Sequence, residues 1–256
     1  MLESYIKNRL QEKKILLMTH IVIGYPSLEA SFNIVEKMVA AGVDLMELQI
    51  PFSEPMADGP VILKANQLAL EQGVTINNCL AFAQKASQQF EIPFLYMTYY
   101  NILYKYGVEK FAAKIRESGV QGAIIPDLPP EEGQEYVRAM QANNLAPIFI
   151  YSPSTSDERM KLLADCGSGF IYCVARKGVT GRETDFSDGL GSYLQRCRQA
   201  TKLPLAVGFG VKDRQDVQYL VGKADIAVIG SQTIRLVEEQ GVEAVTEFIS
   251  KLREDK

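Results

Sequence analysis

Residues 43–60 read Val-Asp-Leu-Met-Glu-Leu-Gln-Ile-Pro-Phe-Ser-Glu-Pro-Met-Ala-Asp-Gly-Pro, a buried-looking run that breaks into a proline-studded loop. In an extended strand successive side chains alternate faces, so Val43, Leu45, Glu47 and Gln49 share one side and Met46, Leu48 and Ile50 the other. An acid such as Glu47 among aliphatic neighbours is costly unless it is paired, protonated or used. Pro51, Pro55 and Pro60 fix φ in the loop that follows, so Asp58 is expected to be held in place. Asp58 has two readings at this point: a positioned carboxylate, or the acidic N-cap of a helix starting near Pro60.

The same passage from strand through loop to helix recurs along the chain. Strand candidates are Ile15–Ile23, Leu45–Ile50, Phe94–Thr98, Gly122–Pro126, Ala146–Tyr151, Gly169–Val174, Leu205–Gly208 and Ile226–Gly230. Helical patterns cover Leu28–Ala41, Ile76–Phe90, Val108–Ser118, Pro130–Asn143, Asp157–Cys166, Gly189–Thr201, Asp213–Val221 and Glu243–Leu252. Eight strand–helix units in about 250 residues fit an α/β chain folded as a (β/α)8 TIM barrel. We expect one domain over residues 1–256, with an extra amphipathic helix at the charged N-terminus MLESYIKNRLQEKK. A doubly wound open sheet also alternates, but it normally carries a GxGxxG turn after the first strand, and Ile23-Gly-Tyr-Pro is not one. Barrel active sites lie at the carboxyl ends of the strands, which puts Glu47 near the mouth and Asp58 in the loop beyond it. An ion-paired acid in the barrel interior is the competing reading of Glu47.

Glycine supplies the second pattern. Ala-Arg-Lys-Gly-Val-Thr-Gly-Arg-Glu-Thr-Asp (175–185) follows the sixth strand, Gly208-Phe209-Gly210 the seventh and Gly230-Ser231 the eighth. Barrels often bind phosphate there, where backbone N–H groups and a short helix N-terminus face the anion. Thr180 and Ser231 offer hydroxyl donors. Three such clusters after successive strands point to a phosphorylated small molecule.

Composition excludes several alternatives. A net charge of −4 gives no electrostatic reason to bind nucleic acid. No stretch approaches the roughly 20 apolar residues of a membrane span, and the N-terminus has no signal-peptide core. Cys79, Cys166, Cys173 and Cys197 form no CxxC pair, so reduced thiols in a cytoplasmic protein are expected. A single histidine and no compact ligand cluster argue against a metal site.

Over nearly its full length the chain resembles the tryptophan synthase alpha subunit family. The matching segments are DLMELQIPFSEPMADGP (44–60), PDLPPEE (126–132), GVTG (178–181), GFG (208–210) and GS (230–231). The resemblance implies a lyase that cleaves indole-3-glycerol phosphate to indole and glyceraldehyde 3-phosphate by a retro-aldol step in L-tryptophan biosynthesis. It implies Glu47 as the acid/base group and Asp58 as acceptor for the indole N–H. It further implies Tyr172 and Phe209 in the substrate pocket, and Gly181, Gly210, Gly230 and Ser231 in the phosphate cradle. Loop 175–185 matches a mobile lid whose Thr180 meets Asp58 on closure. The family also implies a beta-subunit partner in an alpha2-beta2 tetramer. That partner carries the pyridoxal phosphate, this chain needs no cofactor, and Glu54 and PDLPPEE face the docking surface.

Three positions depart from the family pattern. Gln49 stands where glycine is usual, Glu54 where aspartate is common, and His20 at an often apolar position. Two other readings stay open: a beta-activating subunit without turnover, and a barrel enzyme acting on another phosphosugar.

Overall fold

A computed structural model describes residues 2–174, 188–208 and 210–253. In chain order its elements are α1 (Leu2–Glu12), β1 (Leu16–Val22), α2 (Leu28–Ala40), β2 (Leu45–Gln49), α3 (Pro60–Glu71), α4 (Ile76–Gln89) and β3 (Phe94–Met97). There follow α5 (Tyr100–Tyr106), α6 (Val108–Glu117), β4 (Gly122–Ile124), α7 (Gln134–Ala142), β5 (Ala146–Ile148), β6 (Ile150–Tyr151) and α8 (Asp157–Cys166). The chain continues with β7 (Ile171–Val174), α9 (Asp188–Ala200), β8 (Leu205–Gly208), α10 (Arg214–Leu220), β9 (Ile226–Ile229), α11 (Ser231–Gln240) and α12 (Ala244–Arg253).

All the paired strands are parallel, in the order β5-β4-β3-β2-β1-β9-β8-β7-β6. The run expected as one strand over 146–151 is broken at Phe149, and the chain itself carries the ring from β5 to β6. Eight barrel positions result: the fold is a (β/α)8 barrel with an additional N-terminal helix, as the alternation predicts.

Strands buried on both faces explain why the sequence shows short aliphatic runs. One face looks inward, where Leu16, Met18, Leu45, Leu95, Ile148, Ala206 and Val228 fill the barrel, and Leu2 and Ile6 of α1 plug its amino end. The other face, with Leu17, Met46, Leu48 and Val207, packs on the helices. Val43 belongs to this outer core and not to the Glu47 face, because β2 begins only at Leu45.

The amino end is also tied electrostatically. Asp44, just before β2, is 1% exposed. Its carboxylate meets Lys13 at 2.6 Å, Arg9 at 3.4 Å and Arg253 of α12, and accepts the Leu17 N–H at 3.0 Å. Burial pushes this carboxyl up, but Arg253, Lys13 and the Leu17 amide outweigh burial and hold it below the usual carboxylate range. Both chain ends are thereby fastened to the barrel. Removing one partner of a buried ion pair strands the others, so Asp44→Asn should cost about 3 kcal/mol in a urea melt at pH 7. The folded carboxyl is depressed, so its contribution is present above the unfolded value, near pH 4, and is lost as pH falls through the folded value. The variant's stability should accordingly fall less than the wild type's below about pH 4; parallel acid curves would refute the clamp.

Besides α3, whose start near Pro60 is expected from the sequence, two helices lie outside the periodic patterns. The start of α5 is supplied from a distance, since the Tyr100 N–H donates to Asp127 Oδ1 and Oδ2 at 2.9 and 3.1 Å. Asp127 sits in the PDLPPEE segment, so part of that motif has a structural task. The other, α11, begins directly after β9 with Gly230 at its N-cap and no side-chain cap.

Candidate active site

Parallel register places His20 of β1 beside Glu47 of β2, and Val22 beside Gln49. Glu47 and Gln49 share strand parity with inward-facing Leu45, and His20 with inward-facing Met18. All three polar side chains therefore point into the mouth. They are buried, Glu47 at 3% and His20 at 4% exposure. His20 Nδ1 lies 3.3 Å from Glu47 Oε1. Glu47 Oε2, His20 Nε2 and Gln49 Oε1 are buried with no hydrogen-bond partner among the described residues. Leaving three buried polar atoms unpaired costs about 1–3 kcal/mol each, an expense typical of sites that await a ligand.

Asp58 is held from two sides. Gln49 Nε2 donates to its Oδ2 at 2.6 Å and the Tyr99 hydroxyl at 3.1 Å. Tyr99 is itself fixed: its oxygen accepts the Ala57 N–H at 3.1 Å, and its ring stacks on Phe52 with centroids 5.2 Å apart. Asn66 of α3 accepts the Phe52 N–H at 3.0 Å and donates to the Ile62 carbonyl at 2.8 Å, pinning the loop to its helix. The N-cap reading of Asp58 fails. Helix α3 does begin at Pro60, but its N-cap is Gly59, and the Asp58 carboxylate turns to Gln49 and Tyr99. Burial pushes the Asp58 carboxyl up, against the hydrogen bond from Gln49, the field of His20 and the hydrogen bond from Tyr99.

Tyr172 of β7 completes the polar wall. Burial first, then the negative fields of Glu47 and Asp58, push its phenol well above the ordinary value, so the hydroxyl stays neutral. A Cβ at Gly208 would fall 2.7 Å from the Tyr172 hydroxyl and ring edge, so only glycine on β8 leaves the tyrosine room. Beyond it, Gly210 has φ +69°, a left-handed conformation that glycine adopts without strain. Among the described residues a Cβ at Gly210 or Gly230 would meet nothing within 4 Å. Gly230 leads into Ser231 and the uncapped N-terminus of α11, a backbone arrangement suited to an anion.

The geometry thus brings together Glu47, Asp58 and Tyr172, and among the described residues leaves the Gly210 and Gly230–Ser231 backbone open after the last two strands. Thr180, Gly181 and Phe209, together with loop 175–185 and its Arg176 and Lys177, lie outside the described residues. Sequence reasoning missed Tyr99 and Asn66. Tyr99 continues the inward parity of Leu95 and Met97, and Asn66 sits on the buried Ile62–Ala65–Ala69 stripe of α3, so both carried a periodic signal. Gln49, which stands where the family usually has glycine, bonds Asp58. Among the described residues no group of three or more His, Cys, Asp or Glu side chains could hold a metal ion.

Fold and site define a (β/α)8 barrel of the enzyme type, its titratable side chains gathered at the carboxyl ends of the strands. A sequence model of the family described as tryptophan synthase alpha chain matches residues 6–255. The tryptophan synthase alpha chain of Syntrophotalea carbinolica is 63% identical over 253 residues, covering 99% of this chain and all of that one. The Desulforapulum autotrophicum alpha chain is 64% identical over 252 residues, covering 98% and 100%. Among solved structures, a chain of Mycobacterium tuberculosis tryptophan synthase superposes with a TM-score of 0.92 at 29% identity, over 98% of this chain and 96% of its own. A chain of the Pyrococcus furiosus tryptophan synthase complex does so with 0.85 at 27%, over 93% and 97%. The chain belongs to the tryptophan synthase alpha chain family.

Proposed function

We propose that this chain is the lyase component of tryptophan synthase, cleaving indole-3-glycerol phosphate to indole and glyceraldehyde 3-phosphate, with Glu47 and Asp58 as its catalytic residues. The observation that carries the assignment of roles is the placement of the two carboxylates. Glu47 is buried at the mouth with Oε2 unpaired, and Asp58 is fixed beside it by Gln49 and Tyr99. Cleavage requires a proton on indole C3, removal of a proton from the glycerol hydroxyl, and stabilisation of the positive charge that develops on the ring nitrogen. Glu47 makes both proton transfers through its unpaired oxygen. Asp58, held by two donors, faces the ring N–H and opposes the developing charge. Tyr172 lines the pocket as a neutral hydroxyl. The backbone at Gly181, Gly210 and Gly230, with Ser231, receives the phosphate, and Thr180 and Phe209 are assigned to substrate binding by the family resemblance.

The phosphate assignment has a test that spares the fold. An acidic residue in the first turn of a helix is itself favourable, so Ser231→Asp should fold normally. Its charge would oppose the substrate phosphate, raising KM at least about 10-fold in an indole-release assay with kcat little changed. The dephosphorylated substrate should show no such penalty. An unchanged KM for the phosphorylated substrate would remove α11 from the site.

In this reading the chain works as a single domain over 1–256 and passes indole to a beta subunit in an alpha2-beta2 complex. Pyridoxal phosphate belongs to that partner. Exposed Glu54 and Met56, in the loop after β2, support docking at that end of the barrel, with PDLPPEE adjoining. A cytoplasmic setting accords with this role; among the described residues no helix is long and apolar enough to cross a membrane.

A further inference from the structure

The proposed reaction passes two protons through one carboxyl group, and the residue touching that group has no part in the mechanism so far. His20 Nδ1 sits 3.3 Å from Glu47 Oε1 on the neighbouring strand, in register, with both side chains buried. The atoms left unpaired among the described residues are the outer ones, His20 Nε2 and Glu47 Oε2. An ion pair present only for stability would be expected to satisfy its remaining polar atoms in the protein.

We infer that His20 is a positioning residue for Glu47, the two forming a proton-sharing pair in which His20 holds Oε1 in both protonation states and leaves Oε2 to the substrate. This inference rests on the cleavage reaction proposed above. Imidazole suits the task because Nδ1–H can donate to Oε1 whether Glu47 is ionised or carries its proton on Oε2, and the ring can itself gain or lose a proton, which an amide cannot. The protons balance over one cycle. Glu47 gives its proton to indole C3 and becomes a carboxylate. That carboxylate takes the glycerol hydroxyl proton as the carbon–carbon bond breaks and its electron pair returns to the ring. The pair ends with the proton it began with, and Oε1 never loses its partner.

The electrostatics agree. Burial alone would push the imidazole down, but Glu47 on β2 and, more weakly, Asp58 in the loop after β2 reverse that, and the net direction is up. Tyr172 on β7, under the influence of the same carboxylates, is a neutral phenol and adds no charge. A raised imidazole keeps its proton below its folded value and loses it as pH rises through that value.

Because His20 is the only histidine in the chain, its titration can be read without assignment. In the full-length 15N-labelled protein, the imidazole midpoint should lie above about 6.5 in the wild type. In Glu47→Gln it should fall by at least about one pH unit, a tenfold loss of proton affinity. Equal midpoints in the two proteins, or a wild-type midpoint below the ordinary value, would overturn the pair. Kinetics give the second readout. His20→Gln retains a donor to Oε1 but no titratable proton, and should lower kcat by about 10²-fold with KM within about twofold. The alkaline limb of its kcat profile should also move to lower pH. A fall in kcat with the limb unmoved would reduce His20 to a packing role and overturn the inference. Absence of indole release from the wild type would instead defeat the proposed reaction, and the NMR titration would still decide the pair.

Discussion

Glu47→Gln should lower kcat for indole release by about 10²- to 10⁴-fold, the span lost when a positioned general acid or base is removed. The substitution is nearly isosteric, and the amide cannot give or take the proton at Oε2. Loss of activity through unfolding is not expected. Taking one charge from a buried pair is destabilising when the other charge is stranded, but the His20 imidazole can release its proton and become neutral. Thermal melts of the variant at pH 7.5 should therefore match those of the wild type within a few degrees. Near-normal turnover would dismiss Glu47 as the proton carrier, and a collapsed melting curve would make the kinetic loss uninformative about chemistry.

Asp58→Asn should be the second most severe change, lowering kcat by about 10²- to 10³-fold, as when one preorganised electrostatic partner of a transition state is lost. The local geometry explains why an isosteric amide fails. Gln49 Nε2 and the Tyr99 hydroxyl both donate to Oδ2 of Asp58. An asparagine must present its carbonyl oxygen to those two donors, which turns its NH2 group towards the position of Oδ1. A donor then faces the indole N–H where an anion stood. Tyr99→Phe, which keeps the charge and removes one of its two anchors, should cost far less than Asp58→Asn. If the two variants lost kcat equally, the loss would lie in positioning and not in charge.

The barrel was legible because its strands are buried on both faces and its helices on one, which stamps two different periods on the chain. The helices that escaped are those whose causes are not local. The start of α5 is satisfied by Asp127, 27 residues later, and α11 follows β9 without a polar turn to announce it. Glu47 was readable from strand parity alone. Its pairing with His20 was not, because that depends on the register between two parallel strands, which side-chain alternation leaves free to slide in steps of two. Asp58 shows the same limit. Its neighbours Gly59 and Pro60 form a plausible helix start, and only Gln49 and Tyr99, 9 and 41 residues away, reveal that the carboxylate turns elsewhere. The phosphate end was legible as glycine clusters after successive strands, with Gly208 contributing for a further reason, the space it leaves for Tyr172.

The most direct test of the central claim is product release from indole-3-glycerol phosphate by the purified chain, measured with and without a beta subunit. Catalysis by this site predicts indole and glyceraldehyde 3-phosphate in equal amounts, with release abolished in Glu47→Gln. No indole under either condition, while the beta subunit's own activity is still stimulated, would contradict it and make the chain an activator without turnover.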